Sequence, residues 1–219
     1  MADKATVALE ARSQAGDGRH YSPSAARNRE PLRDVLSQWV TSPARILEIA
    51  SGTGEHGAFV TSSLGGFDWT YSDIDAESLA SQAAWRALDT TGRLHGPLVI
   101  DASSPDWSTA QAASGWDAVF CANMVHIAPW SAAVGLFRGA GKLLKPGGQL
   151  ILYGPFARDG VMAPSNAAFD ASLKFRNPDW GVRDLDRDLV PLATTAGLVL
   201  QSDIEMPANN LTVSFRKPA

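Results

Sequence analysis

The sequence has little cysteine, no long apolar run and no cluster of basic residues. A single cysteine, Cys121, cannot form an internal disulfide, which fits a reducing compartment. Glycine, proline or charge interrupts every apolar run before the ~18 residues that a membrane span requires, so no membrane partner is expected. The 19 lysines and arginines are dispersed among 23 aspartates and glutamates, for a net charge of −4, and nucleic acid is not an expected partner either.

Two classes of reactive site also lack their usual residues. The four histidines do not pair with one another at the spacing of metal ligands, and no metal is predicted; they are His20, His56, His95 and His126. No serine stands between glycines as in a nucleophile elbow, which argues against an α/β-hydrolase.

The first 18 residues carry acids and no continuous apolar stretch, unlike a secretory signal or a transit peptide. The sequence therefore predicts a mobile tail over residues 1–18 and one domain over 19–219. A cytoplasmic location is expected.

Short apolar runs alternate with longer amphipathic segments, a pattern typical of a doubly wound α/β sheet. Strands are predicted at 45–50, 67–72, 97–100, 116–122 and 149–153, and helices over 55–64, 75–88 and 130–144, with a short helix between the third and fourth strands. Segments 198–206 and 211–215 are separated by only a short turn, which predicts an antiparallel hairpin at the end of the sheet.

A glycine-rich turn follows the first predicted strand. Gly52, Gly54 and Gly57 match a dinucleotide-binding fingerprint, and Asp73 lies about 20 residues further on, where a ribose-binding acid is expected. A helix cap is the alternative role for Asp73. NAD(P)-dependent dehydrogenases and S-adenosylmethionine-dependent methyltransferases share these features, so the residues around the turn must decide between them.

Glu48, at the end of the first strand, favours S-adenosylmethionine. A carboxylate repels a diphosphate, whereas S-adenosylmethionine carries an ammonium and a sulfonium that an acid can attract through water or loop amides. The alternative for Glu48 is a partly buried acid that nearby backbone amides satisfy.

The run from Glu48 through Ala50, Ser51 and Gly52 to Gly54 resembles the first motif of class I S-adenosylmethionine-dependent methyltransferases, with Ala50 where glycine is more usual. Residues 143–150 and the C-terminal hairpin resemble later parts of the same fold. This resemblance implies a Rossmann-like sheet of seven strands with an antiparallel last strand. It also implies cofactor contacts by Asp101 and Ala102 near the adenine, for which an ordinary turn aspartate is the alternative.

Further stretches resemble the methyltransferase-like twenty-six family, a former domain of unknown function in that superfamily. They are residues 24–31, 47–54, 120–130, 153–156, 165–170 and 206–210. The resemblance implies the fold and the cofactor. It leaves the accepting atom open among oxygen, nitrogen and sulfur.

Two residues after the fourth strand are candidates for chemistry. A histidine side chain ordinarily titrates near neutrality, so His126 is expected to remove a proton from a hydroxyl or thiol. The alternative is a histidine that the backbone satisfies and that orients the following turn. Asn123 could bond the cofactor amine or an acceptor amide, or simply cap its loop.

The long connection from 156 to 184 is expected to cover an acceptor pocket. Its candidate substrate-binding residues, with one from the hairpin turn, are Asn166, Phe169, Asp170, Trp180 and Asn209. Arg27 and Asn28, from a helix before the first strand, are expected to reach the cofactor carboxylate. The alternatives are core packing for the aromatic residues, turn formation for Asn209 and a solvated helix face for Arg27 and Asn28.

The sequence therefore predicts a methyltransferase that uses S-adenosylmethionine to methylate a small molecule. An NAD(P)-dependent oxidoreductase, or a protein of the same fold that binds a cofactor without catalysis, remains an alternative. The oligomeric state stays open.

Overall fold

The computed structural model describes residues 10–111 and 115–219, and its centre is a sheet of seven strands. The strands are β1 (Ala44–Glu48), β2 (Phe67–Asp73), β3 (Leu94–Val99), β4 (Trp116–Ala122), β5 (Leu144–Gly154), β6 (Val199–Met206) and β7 (Asn210–Arg216). They lie in the order β3-β2-β1-β4-β5-β7-β6, and β7 is antiparallel to both of its neighbours. The predicted fold class, with a reversed strand at the end of the chain, is confirmed.

The helices are α1 (Pro23–Trp39), α2 (Glu55–Ser63), α3 (Ala76–Ala87), α4 (Ser108–Gln111), α5 (Trp130–Leu143), α6 (Pro164–Arg176) and α7 (Val190–Thr195). Most boundaries lie within two residues of the predicted ones. Strand β5 starts at Leu144 instead of 149, because Leu144 already pairs with Trp116 of β4 and Gly147 and Gly148 bond Lys217 after the end of β7, with an irregularity in the register between. Residues 112–114, part of the segment predicted to hold a short helix, lie outside the described residues.

Apolar layers cover both faces of the sheet. One contains Trp69 and Phe120, whose rings lie 5.5 Å apart, and packs beneath α1 and α2. The other contains Phe137 of α5 and Phe215 of β7, with ring centroids 5.0 Å apart. Because strands β1 and β4 are buried on both faces, they read as continuous apolar runs.

Helix α2 lies unusually close to β2. A Cβ atom on Gly57 would lie 2.5 Å from Trp69 Cδ1 and 2.6 Å from Tyr71 Cε1, so only a glycine allows this approach. The Tyr71 hydroxyl also donates to the carbonyl of Gly54, 2.7 Å away. The close packing fixes the start of α2 directly above the carboxyl ends of β1 and β2.

The expected tail, residues 1–18, is described only from residue 10 onward. There, Ser13–Gln14 pairs antiparallel with His20–Tyr21, and the amide of Ala15 donates to the carbonyl of Arg19 over 2.8 Å. The amide of His20 donates to Ser81 Oγ of α3 at 2.8 Å. Residues 10–18 therefore contact the rest of the chain, and the division into a mobile tail over 1–18 and a domain over 19–219 stays a prediction.

Within the described part of the chain, no helix combines the length and the apolar character needed to cross a membrane.

Candidate cofactor and acceptor site

The backbone between β1 and α2, residues 49–54, forms a tight turn, here called the glycine turn. Ala50, Gly52 and Gly54 have φ angles of +56°, +55° and +87°. The amide of Ser51 donates to the carbonyl of Ser72 at 2.8 Å, and Ser51 Oγ accepts from the amide of Ser72 at 3.0 Å. Ser51 thus ties β1 to β2 beneath the turn.

Asp73, the last residue of β2, binds the glycine turn directly. Its Oδ2 accepts from the amide of Gly52 at 2.9 Å, and its Oδ1 accepts from the amide of Ile74 at 2.8 Å. The side chain is 7% exposed, and burial raises its pKa against the opposing effect of these amides. Asp75 fills the helix cap instead, through the amide of Ser78 at 2.9 Å, so the cap alternative for Asp73 is wrong.

Glu48 points into the protein beneath the glycine turn. It is 1% exposed, its Oε2 accepts from Trp69 Nε1 at 2.8 Å, and its Oε1 lies 3.5 Å from His56 Nδ1. Both carboxylate oxygens of Glu48 therefore contact side chains, whereas the alternative stated from the sequence was that backbone amides satisfy this acid. The negative charge of Glu48 therefore lies beneath the glycine turn, and the backbone of the turn separates it from the turn's outer surface.

Asn28 extends the same polar contacts away from the turn. Its Oδ1 lies 2.8 Å from His56 Nε2, and its side chain lies beside the Tyr153 hydroxyl. Asn28 is 6% exposed, so the solvated-face alternative is wrong for it. The neighbouring Arg27 has a side chain that is 71% exposed, with Nη2 at 3.8 Å from Glu10 Oε2.

Asp101 and Ala102 follow β3 at the same edge of the sheet. Asp101 is exposed, and its Oδ1 accepts from the amide of Ser103 at 2.8 Å and from Ser103 Oγ at 2.6 Å, which makes it a turn-forming aspartate as it stands. Sequence reasoning missed Ile74, whose side chain is 51% exposed directly after Asp73. An apolar residue directly after the candidate ribose acid was the available signal.

Asn123 and His126 lie beyond the carboxyl end of β4. Asn123 adopts φ +60°, and its amide donates to the carbonyl of Tyr153 at 2.7 Å. His126 is 1% exposed, and among the described residues neither ring nitrogen has a hydrogen-bond partner. Its ring meets that of Phe156 edge-on at 4.9 Å, and a Cβ on Gly154 would collide with Nε2. The backbone does not satisfy this ring, contrary to the alternative that the sequence left open.

Burial, helped by the positive charge of Arg183, lowers the pKa of His126 from 6.5 to about 3. The imidazole is therefore neutral at pH 7, with a lone pair and an N–H shielded from water. Unpaired polar atoms in a buried position are uncommon and call for a functional explanation.

Arg183 holds the loop that carries His126, a role with no sequence signal. Its Nε donates to the carbonyl of Val125 at 2.9 Å, and its Nη2 donates to the carbonyl of Ala128 at 2.9 Å. The amide of Gly181 donates to the His126 carbonyl at 3.0 Å. Residues 181–183 therefore clamp the loop from the opposite side.

Residues 155–184, here called the cover segment, include α6 and are fastened by polar side chains. Asn166 Nδ2 donates to the carbonyl of Asn209 at 2.8 Å, and Asn209 Nδ2 donates to Ser165 Oγ at 2.9 Å. Asp170 accepts from the amide of Val182 at 2.9 Å and from Lys174 Nζ at 2.7 Å. These predicted substrate residues hold the cover segment together.

The aromatic candidates of the cover segment are less enclosed. Phe169 and Trp180 are both half-buried. A wholly buried core role, the alternative for each, is therefore not what the structure shows.

Across residues 10–111 and 115–219 no group of three or more histidine, cysteine or acidic side chains could hold a metal ion.

The same fold occurs in solved methyltransferases. Human N-acetylserotonin methyltransferase, solved with S-adenosylmethionine, matches with a TM-score of 0.72 at 15% identity, over 90% of this chain and 53% of that chain. An O-methyltransferase family 2 protein from Planctomyces limnophilus, solved with apigenin, gives 0.72 at 17%, over 89% and 60%. An O-methyltransferase family protein from Burkholderia thailandensis gives 0.71 at 17%, over 90% and 58%.

The architecture is thus that of class I S-adenosylmethionine-dependent methyltransferases. The chain spans little more than half the length of these proteins. A family model described as a protein of unknown function (DUF938) matches residues 19–217, and the chain belongs to that family.

Proposed function

We propose that the protein is an S-adenosylmethionine-dependent methyltransferase that acts on a small acceptor molecule. The observation that carries this proposal is the bond between Asp73 and the amide of Gly52, which places a carboxylate beside the glycine turn. A ribose fits that arrangement, since a carboxylate can accept hydrogen bonds from both of its hydroxyls. The narrower kinship with methyltransferase-like twenty-six proteins, and a cytoplasmic location, belong to the same proposal.

The residues present fit S-adenosylmethionine better than a dinucleotide. Glu48, Asp73 and Glu55 are all buried at or beneath the glycine turn, and their combined negative charge would oppose a diphosphate. The same charges favour the ammonium and the sulfonium. Exposed Ile74 offers an apolar surface for the base, and Asp101, Ala102 and Asn123 stand at the same edge of the sheet.

When bound, S-adenosylmethionine supplies an activated methyl group, so the chain contributes alignment, exclusion of water and acceptance of a proton. His126 is the proposed base: its neutral imidazole would take the acceptor's proton, while the cofactor, held at the glycine turn by Asp73, would supply the methyl group. Because the ring is enclosed, the cover segment must move aside to admit an acceptor.

The strength of an imidazole base bears on the acceptor. Once the cover segment has moved aside, His126 can take the acidic proton of a phenol or a thiol more readily than that of an aliphatic alcohol. The neighbours solved with apigenin and named for N-acetylserotonin support a small acceptor. A phenol or thiol is therefore the acceptor class proposed here.

Isothermal titration calorimetry tests the cofactor. Wild type is expected to bind S-adenosylmethionine and S-adenosylhomocysteine, with NADP much weaker or undetected. Tight NADP binding without either sulfur nucleoside would favour the oxidoreductase instead. A labelled methyl donor incubated with a library of phenols, thiols and amines then tests the acceptor, and exclusive labelling of amines would overturn the acceptor class.

A further inference from the structure

Residues 10–22, here called the N-terminal hairpin, lie across α3 next to the glycine turn. The Tyr21 ring meets that of Trp85 edge-on at 5.4 Å, and His20 binds Ser81, whose hydroxyl donates to the Thr53 carbonyl at 2.7 Å. A Cβ on Gly18 would lie 3.7 Å from Ala84 Cβ. The hairpin thus packs against the same helix and turn that border the proposed cofactor site.

Glu10 fastens the start of this hairpin to α1. Its carboxylate accepts from the amide of Ser24 at 2.9 Å and from the hydroxyls of Ser22 and Ser24. Burial raises the pKa of Glu10, but these hydrogen bonds together with the charge of Arg27 outweigh burial and leave it below its usual value. The attachment is therefore intact at neutral pH.

Between these two attachments, Arg12 lies above the glycine turn. Its Nη2 is 3.7 Å from the position that a Cβ on Gly52 would occupy, and its Nη1 donates to Ser78 Oγ at 3.1 Å. Within residues 10–111 and 115–219, no carboxylate forms an ion pair with Arg12. A guanidinium has several N–H donors, so those not used by Ser78 can receive an anion.

The charged side chains beneath the glycine turn are acids, whereas Arg12, which is positively charged, lies above the turn. S-adenosylmethionine carries one anionic group, its α-carboxylate, and a planar guanidinium can bind a carboxylate through two parallel hydrogen bonds. Arg27, the residue that the sequence suggested for this contact, is mostly exposed and shares its charge with Glu10. We propose that Arg12 of the N-terminal hairpin binds the α-carboxylate of the cofactor, an inference that rests on the proposed function.

The test compares S-adenosylmethionine with decarboxylated S-adenosylmethionine, which lacks only the carboxylate. For Arg12→Ala, calorimetry should show about a 10- to 100-fold loss of affinity for the intact cofactor and little change for the decarboxylated one. Arg12→Lys should recover part of the loss, because it restores the charge without the planar pair of donors. Arg19→Ala, in the same hairpin but bonded to Asp17, is the matched control and should leave both affinities unchanged.

The outcomes are distinct. Equal weakening of both ligands by Arg12→Ala would overturn the proposal and show that Arg12 only holds the hairpin in place. A loss confined to the intact cofactor in Arg27→Ala, with Arg12→Ala unaffected, would assign the carboxylate to Arg27. If wild type bound neither ligand, the proposed function would fail together with this inference, whereas normal wild-type binding with an unaffected Arg12→Ala would remove the inference alone. Retained affinity for the decarboxylated ligand reports that each variant is folded.

Discussion

The two halves of the sheet's carboxyl edge are built differently. On the side of β1 and β2, backbone groups make the site: the glycine turn has three residues at positive φ, and Asp73 is fixed by main-chain amides. On the side of β4 and β5, side chains make it: Asn166, Asp170 and Arg183 hold a long cover segment over His126. A backbone site suits one invariable ligand, and a side-chain site can change its ligand by substitution.

The largest effect is expected for a substitution on the side of β4 and β5, which should lower the rate of methyl transfer but not the affinity for the cofactor. His126→Gln should lower kcat by about 10²- to 10⁴-fold, because the acceptor proton then has no base, and should leave the Kd for S-adenosylmethionine within about twofold. Single-turnover methyl transfer and calorimetry measure the two quantities. Residual activity above about a tenth of wild type would show that the acceptor loses its proton without His126.

The second largest effect is expected for cofactor binding on the side of β1 and β2. Asp73→Asn keeps the shape but removes the charge and one of the two acceptor oxygens, so S-adenosylmethionine should bind about 10- to 100-fold more weakly. Asp75→Asn is the control, since asparagine also caps helices and cofactor affinity should not change. Equal losses in the two variants would indicate a disturbed start of α3 instead of a ribose contact.

Rigidity of the backbone-built half can be tested through α2. Gly57→Ala should destabilise folding by about 1–3 kcal/mol, because its methyl group would overlap Trp69 and Tyr71 and push α2 away from β2. Gly65→Ala has no atom within 4 Å of the new Cβ, and its unfolding free energy in urea should match wild type. A neutral Gly57→Ala would mean that this half yields more easily than its packing implies.

Acidification should weaken the side-chain-built half. Because burial and Arg183 place the folded pKa of His126 at about 3, below its ordinary value of 6.5, the unfolded chain takes up the proton first and stability falls as pH drops through that window. The contribution is at most about 1.4 kcal/mol per pH unit. His126→Gln should flatten the dependence in urea titrations between pH 6.5 and 4, and an unchanged pH dependence in this variant would contradict the expectation.

The smallest effect concerns one backbone angle. Ala50 has φ +56°, a conformation that costs an alanine more than a glycine, so Ala50→Gly should stabilise the protein by about 0.5–1 kcal/mol. Ala80→Gly, inside α3, should have the opposite sign and about the same size. Destabilisation by both substitutions would show that the glycine turn tolerates Ala50 without strain.

The sequence predicted the sheet and its reversed strand because the signals are local. Apolar runs, glycine stops and the Asp75 cap each specify their own element, and parallel strands then bring Asp73 to the glycine turn. The directions in which side chains point were harder to predict from the sequence. Nothing near Glu48 in the chain reveals that Trp69 and His56 take up its carboxylate, since those contacts form only when α2 lies on β2.

The roles of Arg12 and Arg183 were inaccessible for a similar reason. Arg12 lies in a segment with no apolar periodicity, and pairing between residues 13–14 and 20–21 is too short to give a strand signal. Arg183 reaches two carbonyls that lie more than 50 positions away in the sequence, those of Val125 and Ala128. Long-range bonds from arginine to carbonyls have no pattern that a sequence can display.

Asn28 gives the molecule a bridge between its two halves. Through His56 it contacts the charge beneath the glycine turn, and through Tyr153 it reaches Asn210, whose Nδ2 donates to that hydroxyl at 3.0 Å. A substitution there would perturb both ligands at once, so its kinetic phenotype could not be assigned to donor or acceptor. A double-mutant cycle between Asn28 and Asn210 would instead measure the coupling energy between these two side chains, which lie on either side of Tyr153.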